Sequence, residues 1–155
     1  MVQELTTISI RAAGAADAAT LAALRAESLI EMKLLEPPAG PRFVEEARRR
    51  FEELFEQRML QAWLLLDGAS PIGCACVLFW NRLPYPDGAL HAEIAGVYVA
   101  PGYRRRGYAT RLTREAIAAA RARNARKIVL HPTAAARPLY ERLGFTAAQQ
   151  MQLRP

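Results

Sequence analysis

The chain has 155 residues, 52% of them hydrophobic, the size of one domain with one core, and nothing marks a second. Its net charge of +6 is local: residues 101–126 hold eight arginines against Glu115 alone, a net of +7, so the remainder sums to −1, which argues against a nucleic-acid-binding module. No apolar run reaches the roughly 18 residues that span a bilayer, and "MVQELTTISI" lacks the basic-then-apolar pattern of a leader, so a cytoplasmic protein without a membrane partner is expected.

Alternating apolar and polar residues in "ISIRAA" predict a first strand from Ile8 to Arg11. Asp17 is placed to cap a helix that runs to about Met32 on the apolar stripe of Leu21, Leu24 and Ile30. The prolines of "LLEPPAGP" end it, because they remove donors and fix φ. A second helix, charged over most of its surface, is predicted from about Val44 to Met59, with Phe51, Leu54 and Phe55 inward. "AWLLL", "DG" and "PIGCACVLFW" read as two strands joined by a tight turn. Cys74 and Cys76 share one face of the second strand and are expected as buried free thiols. A C-x-C pair with only two histidines elsewhere makes a poor metal site. Free thiols suit a reducing compartment.

"EIAGVYVA" is a third core strand, in which Gly96 marks a bulge or a close backbone approach. A helix from about Ala109 to Arg123 follows, with Leu112, Ala116, Ile117 and Ala120 on one face. "KIVLH" is a nearly continuous apolar run and reads as a central strand buried on both faces. "AARPLYERL" is a fourth helix, ended by Gly144, and "MQL" a final strand. The order βαα–βββ–αβαβ describes an α+β domain, a central sheet covered by helices.

The arginine-rich stretch "PGYRRRGYATRL" lies at the turn from the third core strand into the next helix. The first turn of a helix presents unpaired amides and the positive end of its dipole. Gly107 lets backbone approach a ligand, Ala109 keeps side chains out of the way, Thr110 adds a hydroxyl, and Arg105, Arg106 and Arg111 raise the potential. Such a turn cradles phosphate oxygens. By itself the pattern is short enough to arise by chance. No Gly-Lys-Ser/Thr follows, so it is not a Walker A loop.

With its flanks, "VYVAPGYRRRGYATRL", and with "PLYERLGF" about thirty residues on, the stretch resembles the GNAT family of N-acetyltransferases. In that family the first block is the pyrophosphate-binding motif Q/R-x-x-G-x-G/A, whose defining positions are filled here by Arg104, Gly107 and Ala109. The resemblance implies the GNAT fold, a mixed sheet flanked by helices, and one N-acetyltransferase domain over residues 1–155. It implies acetyl-CoA as cosubstrate and no metal. Coenzyme contacts are expected at Val97, Tyr98 and Val99 on the strand, and at Arg104, Arg105, Arg106, Gly107, Tyr108, Ala109 and Thr110 in the motif. Two more are expected at Thr133, where many members carry asparagine, and at Tyr140.

The resemblance also suggests chemistry. The amide of Val97 is the candidate to meet the thioester oxygen, Tyr140 to protonate the leaving thiolate, and Glu93, four residues before Val97, to act as general base. A core tyrosine and an ordinary charged strand end are the alternatives. His91 and His131 read as structural, His131 being the nearer to the expected acyl site. The acceptor is expected to be an amine, on a small molecule or a peptide. Glu31, Glu36, Trp80 and Tyr85, in the loops that usually frame the acceptor in this fold, are either candidates to receive it beside an aromatic wall or equally loop surface. A homodimer is common in the family. The rival readings are an acyl-CoA-binding sensor without turnover and a nucleic-acid-binding module.

Overall fold

Strand-forming and helix-forming patterns alternate along the chain as the sequence predicts, and their ends follow local turn chemistry. The computed structural model describes residues 7–155; the first six residues, part of the stretch inspected for a leader, lie outside it. Strand β1 (Ile8–Ala13) leads into α1 (Ala18–Glu31) and α2 (Gly40–Glu56). Then come β2 (Leu60–Asp67), β3 (Ser70–Asn81), β4 (Leu90–Val99), α3 (Tyr108–Ala122), β5 (Lys127–Leu130) and α4 (Arg137–Arg142).

Strand β1 runs two residues past Arg11, α4 is shorter than "AARPLYERL", and the ends of α1 and α2 differ from the sequence reading in their chemistry. Asp17 precedes α1, but its carboxylate accepts from the Gly14 amide at 3.0 Å and from Arg11 at 2.7 Å, so it ties down the incoming turn and leaves the helix uncapped. Helix α2 starts four residues before Val44, because Pro41 fits a first helical turn without losing a hydrogen bond. It stops at Glu56, where Arg58 turns left-handed at φ 55° and its amide returns to the Phe55 carbonyl at 3.0 Å.

The sheet runs β1-β2-β3-β4-β5, antiparallel except for the β4–β5 pair, which α3 joins as a crossover. One face packs Leu65, Val77, Phe79 and Ile94 against Leu112, Ala116 and Ala120 of α3. The other packs Ala62, Leu64, Cys74 and Cys76 against Leu21 and Leu24 of α1 and Leu54 of α2. A fully buried leucine in such a core contributes about 1.5–3 kcal/mol of transfer free energy. Both thiols are free, and burial pushes that of Cys76 up to about 12.

Two expectations at the chain's end are corrected together. Residues 151–153 form no strand, and Met151 and Leu153 stand in solvent. With no further strand beside it among the described residues, β5 is the edge strand there, and Ile128, Val129 and Leu130 are half-buried.

Strand β4 carries the feature that positions the site. Cys74 pairs with Tyr98 and Cys76 with Ala95, so Gly96 and Val97 together oppose Ala75. This is a β-bulge, and Gly96 supports it at φ 62°, a conformation that costs a side-chain-bearing residue about 1–2 kcal/mol. The extra residue changes which side chains face which way. Before the bulge Ala92 and Ile94 point to α3; after it Val97 and Val99 do, and Tyr98 packs on the α1–α2 side. The parallel pairing with β5 ends at Ile94 opposite Leu130. Beyond that point β4 continues to Val99 with no strand beside it on the β5 side among the described residues. The two strands form a fork.

Candidate active site

The loop after β4 alternates in handedness. Arg104 is extended at φ −72°, Arg105 left-handed at φ 63°, and Gly107 left-handed at φ 80° as it caps α3. Such alternation turns successive amides toward one concave side. The first amide of the helix with a backbone acceptor is that of Arg111, on the Gly107 carbonyl at 3.1 Å. Among the described residues the amides of Arg105 to Thr110 have no acceptor. Beside them lies a cleft of about 370 Å³ lined by Val99, Tyr103, Arg104, Arg105 and Gly107 to Thr110, and by Leu139 and Arg142 of α4. None of Arg105, Arg106, Arg111 and Arg142 pairs with a carboxylate among the described residues. Arg106 rests on the ring of Tyr103 and Arg111 on that of Tyr108, at 5.9 and 5.8 Å. Unpaired amides, a helix dipole and unneutralised guanidiniums together make an anion site.

Arg104 is different. Its Nε donates to the Val99 carbonyl at 2.7 Å, and its two terminal nitrogens grip both oxygens of Glu31 at 2.5 and 2.7 Å. The guanidinium also stacks 5.7 Å from the Tyr98 ring. One side chain thereby fastens the loop to the end of α1 and the end of β4. Glu31, expected among the groups that receive an acceptor amine, is committed to this pair. The hydrogen bond from Arg104 holds its carboxyl below the ordinary glutamate range. The pair therefore contributes fully at neutral pH and is lost only as pH falls below about 4.

At the fork, Glu93 lies opposite Val129 of β5, and its carboxylate is 3.6 Å from Nε2 of His131. That is too long for a hydrogen bond and close enough for an ion pair when the imidazole is protonated. The sequence offered no partner for His131; the parallel register supplies one. Tyr140, on α4, is half-buried against Phe145 at 6.1 Å, and burial raises its phenol above the ordinary tyrosine value. It therefore stays protonated at neutral pH. The Thr133 hydroxyl accepts from the Ala136 amide at 3.2 Å and shapes the turn into α4, which leaves its own proton free to donate. Glu93, Thr133 and Tyr140 do not line this cleft, and of the other expected coenzyme contacts neither do Val97, Tyr98 and Arg106.

The family model for the acetyltransferase (GNAT) family matches residues 27–145. The chain belongs to that family. Members are acetyl-CoA-dependent acyltransferases. No curated protein matches the chain significantly. Among solved structures, it is similar to the predicted acetyltransferase of Clostridium acetobutylicum with acetyl-CoA, at 24% identity and a TM-score of 0.85, over 96% of each chain. A GCN5-related N-acetyltransferase of Ralstonia eutropha is 20% identical with a TM-score of 0.82, over 96% of this chain and 99% of that one. An aminoglycoside N-acetyltransferase in complex with CoA is 16% identical with a TM-score of 0.76, over 100% of this chain and 98% of the other. At these identities the likeness is one of fold.

Within this GNAT domain, Arg142 was not legible in the sequence as a cleft residue. It follows Leu139 by three positions on α4, so both lie on one helix face, and that face turns to the loop only in three dimensions. Among the described residues no cluster of histidine, cysteine and carboxylate side chains has metal-binding geometry, and no helix is long and apolar enough to cross a membrane.

Proposed function

We propose that the protein, acting as one N-acetyltransferase domain in the cytoplasm, transfers the acetyl group of acetyl-CoA directly to a primary amine. The observation that carries the reading is the row of unpaired amides from Arg105 to Thr110 at a left-handed glycine, beside the fork between β4 and β5. In this reading the amides of Arg105 to Thr110 take the pyrophosphate, and Arg105, Arg106, Arg111 and Arg142 balance its charge. The free edge of Val97, Tyr98 and Val99 receives the pantetheine arm as a strand would, Thr133 donates to it, and the Val97 amide polarises the thioester carbonyl. Glu93, beside His131, takes the proton that the amine loses. Tyr140 gives its proton to the thiolate released when the carbon–sulfur bond breaks. An acetyl-CoA-dependent screen of polyamines, amino acids, aminoglycosides and peptides tests the reading. Thioester hydrolysis with no acetylated product from any amine would overturn transfer.

Gly107→Ala tests the cradle. A Cβ there meets no protein atom within 4 Å, so any loss of binding comes from the space the ligand needs and from the backbone, since φ is 80°. The expected result is a loss of about tenfold or more in acetyl-CoA affinity by calorimetric titration, with folding stability lowered by about 1 kcal/mol of strain in a denaturant melt. Valine is the poorer probe, because a β-branched residue at positive φ strains the fold itself. Affinity within twofold of wild type removes the pyrophosphate from this loop.

Arg104 acts on the cosubstrate through the loop it fastens. The Arg104 and Glu31 side chains are 39% and 42% exposed, so the pair contributes at most about 1 kcal/mol, and Glu31→Gln should weaken acetyl-CoA binding no more than about fivefold. Arg104→Ala, which also frees the Val99 carbonyl and the Tyr98 ring, should cost more than Glu31→Gln in the same titration. Equal losses would mean that the ion pair alone holds the loop.

A further inference from the structure

A second cleft, of about 330 Å³, lies where β4 and β5 begin, and its lining is cationic. Tyr85, expected as an aromatic wall for a cationic amine, already carries the guanidinium of Arg82 over its ring at 5.7 Å. Arg126 pairs with Asp87 at 2.5 Å, while Arg82 and Lys127 have no carboxylate partner among the described residues. Three cations against one carboxylate give the cleft a net +2. His91 forms its floor, only 7% exposed and 5.7 Å from the Trp80 ring. Burial, and then Arg82, Lys127 and Arg126, hold the His91 imidazole below the ordinary histidine value, so it is neutral at neutral pH.

The sheet connects this cleft to the fork. His91 pairs with Lys127 in register and Glu93 with Val129, so His91, Lys127 and Glu93 share one face of the β4–β5 pair. Glu93 is two residues along the strand from His91, roughly 6.6 Å away. A ligand seated by an anionic group on Arg82 and Lys127 reaches Glu93 with its other end. A second cation at the same place is repelled.

We infer that this cleft holds an oxyanion of the acceptor, a carboxylate or a phosphate, while the acceptor's amine lies at Glu93. The substrate class is then an amino carboxylate or an aminoalkyl phosphate, not a polyamine. Charge-assisted hydrogen bonds from Arg82 and Lys127 fix the anion, with Arg126 and Asp87 bracing the rim. This assignment rests on the transferase reading above, and two independent measurements separate its fate from that reading.

The first compares ω-amino carboxylates, aminoalkyl phosphates, monoamines and α,ω-diamines of matched chain length as acceptors. The anion-bearing series should exceed the other two by about tenfold or more in kcat/KM at its best length, and the better of the two anions identifies the source. Arg82→Gln and Lys127→Gln should each shrink that ratio through KM. Diamines or monoamines that match the anionic acceptors, or a ratio that neither variant moves, overturn the inference. The second follows the His91 ring by NMR with inorganic phosphate as the probe; His131 is the only other histidine of the chain and is assigned by His131→Gln. Phosphate among the three cations should raise the His91 titration midpoint, and Lys127→Gln should abolish the rise. A midpoint that phosphate leaves in place overturns the anion cleft even if amines are acetylated. If the midpoint rises and no amine is acetylated, the anion cleft stands and the transferase reading fails.

Discussion

Glu93→Gln should lower kcat by about 10² while leaving acetyl-CoA affinity unchanged, the size of effect a general base supplies. An acceptor amine arrives mostly protonated at neutral pH and must lose a proton before or during attack. The Glu93 side chain is 31% exposed at the start of the fork, open enough to meet an incoming amine and next to His131 at 3.6 Å. Glutamine keeps the size and much of the hydrogen bonding but cannot take the proton. The deficit should therefore shrink as pH rises toward the amine's own pKa, because free base then arrives ready to attack. A pH–rate profile of both proteins on one acceptor measures this. Parallel profiles at nearly equal rates would remove Glu93 from the proton path. His131→Gln in the same assay separates the two neighbours: if it produces the larger, pH-dependent deficit, the imidazole is the base and Glu93 orients it.

Tyr140→Phe should reduce kcat by about tenfold or more, at the lower end of the range for a lost general acid. The substitution removes only a hydroxyl, and the edge-to-face packing on Phe145 is retained, so stability and acetyl-CoA affinity should stay near wild type. Burial raises the phenol, which keeps it a proton donor throughout the neutral range. The loss should be largest for turnover and absent from titration. A variant that turns over like wild type makes Tyr140 a packing residue. A variant that loses affinity and turnover together makes it a group that positions the thioester.

Local sequence determined most of the elements and the glycine turn that opens α3. The alternation in "ISIRAA" and the helical stripe of Leu112, Ala116 and Ala120 are each read within a few residues, and the structure follows them. Helix α1, by contrast, ends at Glu31, before the prolines, where Lys33 turns left-handed at φ 58°. The same is true of Gly96 and Gly107, whose positive φ angles are what isolated glycines in a strand and before a helix suggest. The GNAT motif is local too, since it lies on one strand, one turn and one helix.

What only the tertiary structure decided are the relations between distant residues. Arg104 meets Glu31 across 73 positions and His131 meets Glu93 across 38, and no periodicity connects residues that far apart. The edge position of β5 was hidden for a related reason. A short apolar run looks the same in a central strand and in an edge strand whose exposed side is its backbone. The charge of the second cleft was not legible because Arg82 lies in one segment and Arg126 and Lys127 in another, and their fields add only when β4 and β5 begin side by side. Side-chain chemistry is written in the sequence residue by residue. Electrostatic potential depends on separations of a few ångströms, and those separations exist only once the strands have paired.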